Sequence, residues 1–433
     1  MYNLVTLNNG LKIALEKIDY VNSVSVGLWV KNGSRNEDTY NNGISHFIEH
    51  MFFKGTYNRN AKQIAESIED VGGQINAFTG KESTCYYIKI LDSHIELALD
   101  VISDMLFNSK FDKEDIEKEK GVIIEEINMN EDSPEDVLMD LHSKAIWGEE
   151  AIALPILGSI DTVSSFTKEQ ILEYINARYV PENCVLSIAG RFDIDKIESL
   201  VEKYFGNWKY NENEAINHNK PNILHNHLFQ EKKIEQLHLS LGLNGIEMGH
   251  EDAYALILLN NILGGGASSI LFQKIREEKG RCYSIYSYLS SFSNTGIISI
   301  YTGLNSKYSL EVVELIKEEV IKFSKTTISK ERLIKGKEQM KGNYILGLES
   351  TSSRMFNNGK STLFLNKINK PEDIIKKIDS IDMEKIQRVM EYTFKNGILN
   401  SAYVGDKLDL DGIKSLLEED ITLFKSDNND IIV

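Results

Sequence analysis

His46 and His50 stand four residues apart, with Glu49 directly before the second, in the run Gly43-Ile44-Ser45-His46-Phe47-Ile48-Glu49-His50-Met51. On a helix, residues three and four apart share one face. The two imidazoles can therefore share one cation, with the carboxylate beside it. A divalent metal held this way keeps room for water, and the neighbouring carboxylate can take that water's proton. The order H-x-x-E-H reverses the commoner H-E-x-x-H zinc motif. Ile44, Phe47, Ile48, Met51, Phe52 and Phe53 make the segment apolar nearly all round, which predicts a buried helix. Two histidines and a glutamate inside such a helix need partners or a metal.

A catalytic zinc site needs a third protein ligand and an open position. The densest acidic segment runs from Glu114 to Glu131. Within it Val122, Ile123, Ile124 and Ile127 predict one buried side, and Glu119 and Glu126 fall two helical turns apart on a common face. Periodicity alone does not separate Glu126 from Glu125.

These residues need a scaffold, and the chain predicts one of alternating strands and helices. Residues 4–7 and 11–16 alternate like strands about the turn Asn8-Asn9-Gly10,. Residues 24–30 read as a half-buried strand, the metal helix follows over 43–54, and 61–71 forms a further helix. Residues 74–79 and 84–91 read as a strand pair. Helices are predicted at 93–107, from Asp112 through 128, over 134–147, 167–178 and 194–205, with a strand at 185–189. The Asn-rich stretch 209–222, closed by Pro221, is the best linker. Beyond it the rhythm restarts: residues 24–30 have a counterpart at 237–243, and the same offset carries the metal helix onto 254–263. His46, Glu49 and His50 then map to Leu259, Ile262 and Leu263. The expected organisation is an N-terminal domain over 1–212 with the metal site, a linker over 213–228, and a homologous domain over 229–433 without ligands. The fold class is α+β: two α/β domains, each a mixed or antiparallel sheet flanked by helices.

The bulk numbers narrow the partners. Hydrophobic content of 42% and charged content of 26% over 433 residues are those of a soluble globular protein,. A net charge of −17 argues against nucleic acid and anionic membrane surfaces,. Cys85, Cys184 and Cys282 show no C-x-x-C spacing and read as reduced thiols,. No secretion signal or membrane-spanning run is visible, so the cytoplasm is expected.

The metal-helix run, extended through Phe52-Phe53-Lys54-Gly55-Thr56, resembles the pitrilysin or insulinase type of zinc metallopeptidase. So do Gly73-Gln74-Ile75-Asn76-Ala77-Phe78-Thr79, Val122-Ile123-Ile124-Glu125-Glu126-Ile127, Leu263-Gly264-Gly265-Gly266 and Arg276-Glu277-Glu278-Lys279-Gly280-Arg281-Cys282-Tyr283-Ser284. The likeness covers essentially the whole chain and is strongest to single-chain bacterial relatives of the mitochondrial processing peptidase. It implies one Zn2+ per chain on His46, His50 and Glu126, with Glu49 as base. It places Glu119 behind the ligands and brings Arg276 and Tyr283 across a clam-shell chamber as catalytic partners. It makes Asn76, Ala77 and Phe78 the strand that pairs with a peptide or unfolded substrate. The glycine run becomes a flexible loop at the chamber rim. Arg281 departs from the family's usual apolar residue. A homodimer, or a heterodimer with an inactive paralogue, follows from the resemblance. So does the competing reading, a non-catalytic scaffold of the same fold. Of the remaining histidines, His142 is expected to be a packed helix residue. A fragment ending near the linker is expected to bind zinc but to cleave poorly.

Overall fold

The structure is a computed structural model that describes residues 1–209 and 217–426. The chain forms two compact units, and neither is a continuous stretch of sequence. The first comprises Met1–Asn128, Leu154–Asn217 and Asn343–Ile374; the second comprises Met129–Ala153, His218–Gly342 and Ile375–Val433. Each unit thus takes one helical segment from the other half of the chain. The expected division at a linker over 213–228 differs from this. Residues 213–216 lie outside the described residues, and the Leu224 N–H is bonded to the Ile146 carbonyl at 2.8 Å.

The first unit is built on a six-stranded sheet in the order β1-β2-β6-β3-β5-β4. The strands are β1 (Tyr2–Thr6), β2 (Lys12–Lys17), β3 (Ser23–Val30), β4 (Gln74–Thr79), β5 (Thr84–Leu91) and β6 (Cys184–Gly190). Only β2 and β6 pair in parallel. Val24, Val26, Leu28 and Val30 face a large core that includes Phe47, Ile48 and Met51 of the metal helix.

β3 corrects the half-buried strand expected from its alternation: every residue from Val24 to Val30 is buried. The second face, with its small and polar residues, receives the helix Thr351–Leu365. Ser25 Oγ lies 2.9 Å from Thr351 Oγ1. A Cβ at Gly27 would stand 2.3 Å from Met355 Sδ, and one at Gly359 2.1 Å from Trp29 Nε1. A glycine on each partner thus admits a large side chain of the other. On β2, which β6 separates from β3, buried Glu16 accepts from Asn358 Nδ2 at 2.6 Å and pairs with Arg354. Alternation marked this strand correctly, but what looked like a water-facing side is a helix-docking surface.

The second unit repeats the arrangement without the first strand. Its sheet runs β7-β11-β8-β10-β9, from β7 (His227–Glu231), β8 (Leu237–Asn244), β9 (Cys282–Ser291), β10 (Gly296–Leu304) and β11 (Asn400–Gly405). β7 and β11 are parallel, and the other pairs are antiparallel, as in the first sheet. The helix Pro134–Trp147 covers one face, with Val137 and Leu138 against Ala402 and Val404. The helix Ala253–Gly264 is the counterpart of the metal helix, and its Leu259, Ile262 and Leu263 are buried at 0%, 6% and 0% exposure. Among the described residues no helix is long and apolar enough to cross a membrane.

Candidate metal centre

The metal helix spans Ile44–Phe52. Its entry is fixed by Gly43 at φ 94°, a left-handed conformation that costs glycine nothing,. Here a Cβ would meet the Leu157 carbonyl oxygen at 2.6 Å. Buried Glu37 accepts from the Gly43 and Ser45 N–H groups at 2.7 and 2.8 Å, satisfying donors that a helix start leaves open. Phe47, Ile48, Met51 and Phe52 anchor the apolar side. That turns His46, Glu49 and His50 toward the helix Lys113–Asp132.

On that second helix only a narrow stripe is buried: Ile116, Glu119 and Ile123. Val122, expected inside, is 49% exposed, and Ile124 and Ile127 are half-buried. The structure also separates the two glutamates that periodicity could not. Glu125 is exposed, whereas Glu126 stands 3.8 Å from His46 Nε2 and 3.5 Å from His50 Nε2. Ligand atoms of His46, His50 and Glu126 all lie within 4.8 Å of one another. The His50–Glu126 separation of 3.5 Å matches a shared ion, since donors at 2.0–2.2 Å in a tetrahedral shell lie about 3.4 Å apart, and the His46–Glu126 separation of 3.8 Å is slightly wider,. Two imidazoles and a carboxylate are also a donor set that zinc accepts with a position left open.

Behind the ligands, Glu119 is 2% exposed. Its Oε1 lies 2.7 Å from His50 Nδ1 and its Oε2 2.5 Å from Lys54 Nζ. Burial pushes this carboxyl up, but the hydrogen bonds from His50 and Lys54 outweigh it and hold the group below the usual range. Burial, with the nearby His50 charge, pushes His46 down to about 3, so its imidazole is neutral near pH 7 and ready to ligate,. Burial raises the Glu49 carboxyl, as suits a group that must accept a proton, and a short hydrogen bond from Thr79 Oγ1 opposes it,.

Thr79 ends β4, the edge strand of the sheet. Asn76, Ala77 and Phe78 precede it, so the strand's outer row of backbone N–H and C=O groups is unpaired within the sheet. Sequence reasoning singled out neither Thr79 nor Lys54. The period-2 alternation puts Thr79 on the same face as Ala77, and Lys54 falls one turn after His50.

Arg276 and Tyr283 belong to the second unit, where they neighbour each other. The Arg276 guanidinium carbon lies 4.5 Å from the Phe272 ring centre and 5.5 Å from that of Tyr283, which is 79% exposed. Arg281 is taken up by Glu311, at 2.9 Å, and stacks on Tyr308. Gly264 departs from the expected flexible loop: it is buried, and a Cβ there would meet Ser287 Oγ at 2.4 Å. His142 is a packed helix histidine between Ser240 Oγ (2.8 Å) and Asn400 Oδ1 (3.1 Å).

Comparison with known proteins gives the family. Residues 12–159 match the model of the insulinase family, peptidase family M16, and residues 165–340 match that of the peptidase M16 inactive domain. The chain is 44% identical over 394 residues to a Bacillus subtilis protein named uncharacterized zinc protease YmxG, covering 91% of this chain and 96% of that one. It is 37% identical to an uncharacterized zinc protease of Rickettsia felis, covering 93% and 97%. A crystal structure of a protease from Helicobacter pylori shares the fold, with a TM-score of 0.85 at 22% identity over 94% of this chain and 99% of that one.

Proposed function

The chain belongs to peptidase family M16, and from that premise we propose that it is a zinc-dependent endopeptidase acting on peptides or unfolded segments. The observation that carries this is the convergence of His46, His50 and Glu126 from two helices, with Glu49 alongside. Zinc held by those three residues supplies Lewis acidity, which polarises the scissile carbonyl and acidifies water.

The chain's own groups do the rest. Glu49 takes the proton of the attacking water and returns it to the leaving amine. Thr79 holds one carboxylate oxygen of Glu49, Oε2, and leaves Oε1 to face the water. The free edge of β4 pairs with the substrate as an added strand, so main-chain hydrogen bonds hold varied sequences,. Asn76 clamps the substrate backbone there, and Ala77 and Phe78 line it. Tyr283 donates to the developing oxyanion, with Arg276 beside it. Glu119 fixes the ring of His50,.

The test is zinc content together with cleavage of an unfolded basic peptide by the wild type and Glu49→Gln. The variant should keep its zinc and lose at least 100-fold in kcat, the lower end of what a positioned acid–base group contributes. Equal cleavage by the two proteins would remove Glu49 from the mechanism.

A further inference from the structure

Lys54 lies two residues past the metal helix, one turn after His50. Its ammonium is 2.5 Å from Glu119 Oε2, while Glu119 Oε1 is 2.7 Å from His50 Nδ1. The Glu119 side chain is 2% exposed and that of Lys54 35%. A carboxylate so deeply buried needs a cationic partner within hydrogen-bond distance. His50 cannot be that partner once it ligates a metal, because a ligating imidazole is neutral. The Lys54 ammonium is then the cation in contact with the carboxylate.

We infer that Lys54 is a positioning residue for the metal centre, acting on His50 through Glu119. With the ammonium on Oε2, the carboxylate stays aimed, and Oε1 receives the Nδ1–H of His50. That selects the tautomer whose Nε2 lone pair faces Glu126 and the ion,. Without the ammonium, nothing holds Oε2 in place, and the carboxylate would turn away from the ring. That removes the acceptor that orients His50,.

The inference rests on the reading of His50 as a ligand, and the experiment separates the two. Zinc affinity is measured by competition with a chromophoric chelator for the full-length wild type, Lys54→Met, Lys54→Arg, Glu119→Gln and the Lys54→Met/Glu119→Gln double variant, with melting temperatures alongside. Lys54→Met should weaken zinc binding by about 10- to 100-fold, the range for losing an outer partner of a ligand. Its apo-protein should still unfold in one cooperative transition, which separates a loss of affinity from a loss of fold. Lys54→Arg should retain affinity within a few-fold. In the Glu119→Gln background, Lys54→Met should cause no further loss, since the group it acts through is already neutral. Equal losses in both backgrounds, or none in either, would overturn the role of Lys54 while leaving the site intact. If Glu119→Gln does not fold, the contrast between Lys54→Met and Lys54→Arg decides, and equal affinity in those two overturns the inference. A wild type that takes up no zinc would overturn the metal reading itself.

Discussion

His46 and His50 are held in different ways. His50 has its Nδ1 against Glu119, whereas the Nδ1 of His46 is buried with no hydrogen-bond partner among the described residues, so packing alone orients that ring. The base has its own support in Thr79. Thr79→Val keeps the volume and removes the donor. It should lower kcat by roughly 10-fold, about 1.4 kcal/mol, with zinc affinity unchanged; steady-state kinetics beside a zinc titration checks both. A different residue sets a pH response of stability. His142 is 3% exposed, and burial pushes it down to about 4 from the ordinary 6.5. Between these values the unfolded chain binds the proton and the folded chain does not, so stability must fall as pH falls. The contribution present above pH 6.5 is lost by about pH 4, a cost of roughly 3 kcal/mol. Urea midpoints at pH 7 and pH 4.5 should differ less for His142→Gln than for the wild type.

At the scale of elements, the sequence was most informative where one pattern served one purpose. The helix bounds Pro134–Trp147 and Ile194–Phe205 follow from apolar period and caps, and the metal helix from its apolar wrap. The repeated halves were visible because the same strand–helix rhythm recurs, with ligands replaced by leucine and isoleucine. The docking of Thr351–Leu365 was not legible. Its signals are Ser25, Gly27 and Gly359, residue types that in isolation read as exposed or permissive. Their meaning exists only once two segments more than 300 residues apart are in contact. The energetics of that contact can be measured. Met355→Ala empties a fully buried site and should cost about 2–5 kcal/mol,. Gly359→Ala forces a methyl group against Trp29 and should cost about 1–3 kcal/mol,. Gly27→Ala combined with Met355→Ala should cost less than the sum of the single changes, because the new methyl enters the space the thioether leaves. Thermal or urea unfolding gives each value, and strict additivity would count against the glycine-and-knob fit.

At the scale of the whole molecule, the exchange of segments changes what a half-chain can do. Zinc ligands, base and edge strand all lie within residues 1–128, which at first suggests that a fragment ending near the linker would suffice to bind metal. The structure argues otherwise. Such a fragment lacks Asn343–Ile374, which the first unit contains. The Trp29 face of β3 would be stripped of Met355, and buried Glu16 would lose Arg354 and Asn358. A buried carboxylate without its cation and an uncovered sheet face are each strongly destabilising. The fragment would also carry the helix Pro134–Trp147, whose buried Val137 and Leu138 find their partners on β11 and β10 of the second unit. A fragment of residues 1–217 is therefore expected to aggregate or to lack a cooperative unfolding transition, and to bind zinc poorly. Co-expression with residues 218–433 should restore both, because each piece supplies the helix the other lacks. Size-exclusion chromatography, thermal unfolding and zinc content of the lone and paired fragments test this directly. A soluble lone fragment with a sharp transition and stoichiometric zinc would show that the exchanged helix is dispensable to the first unit.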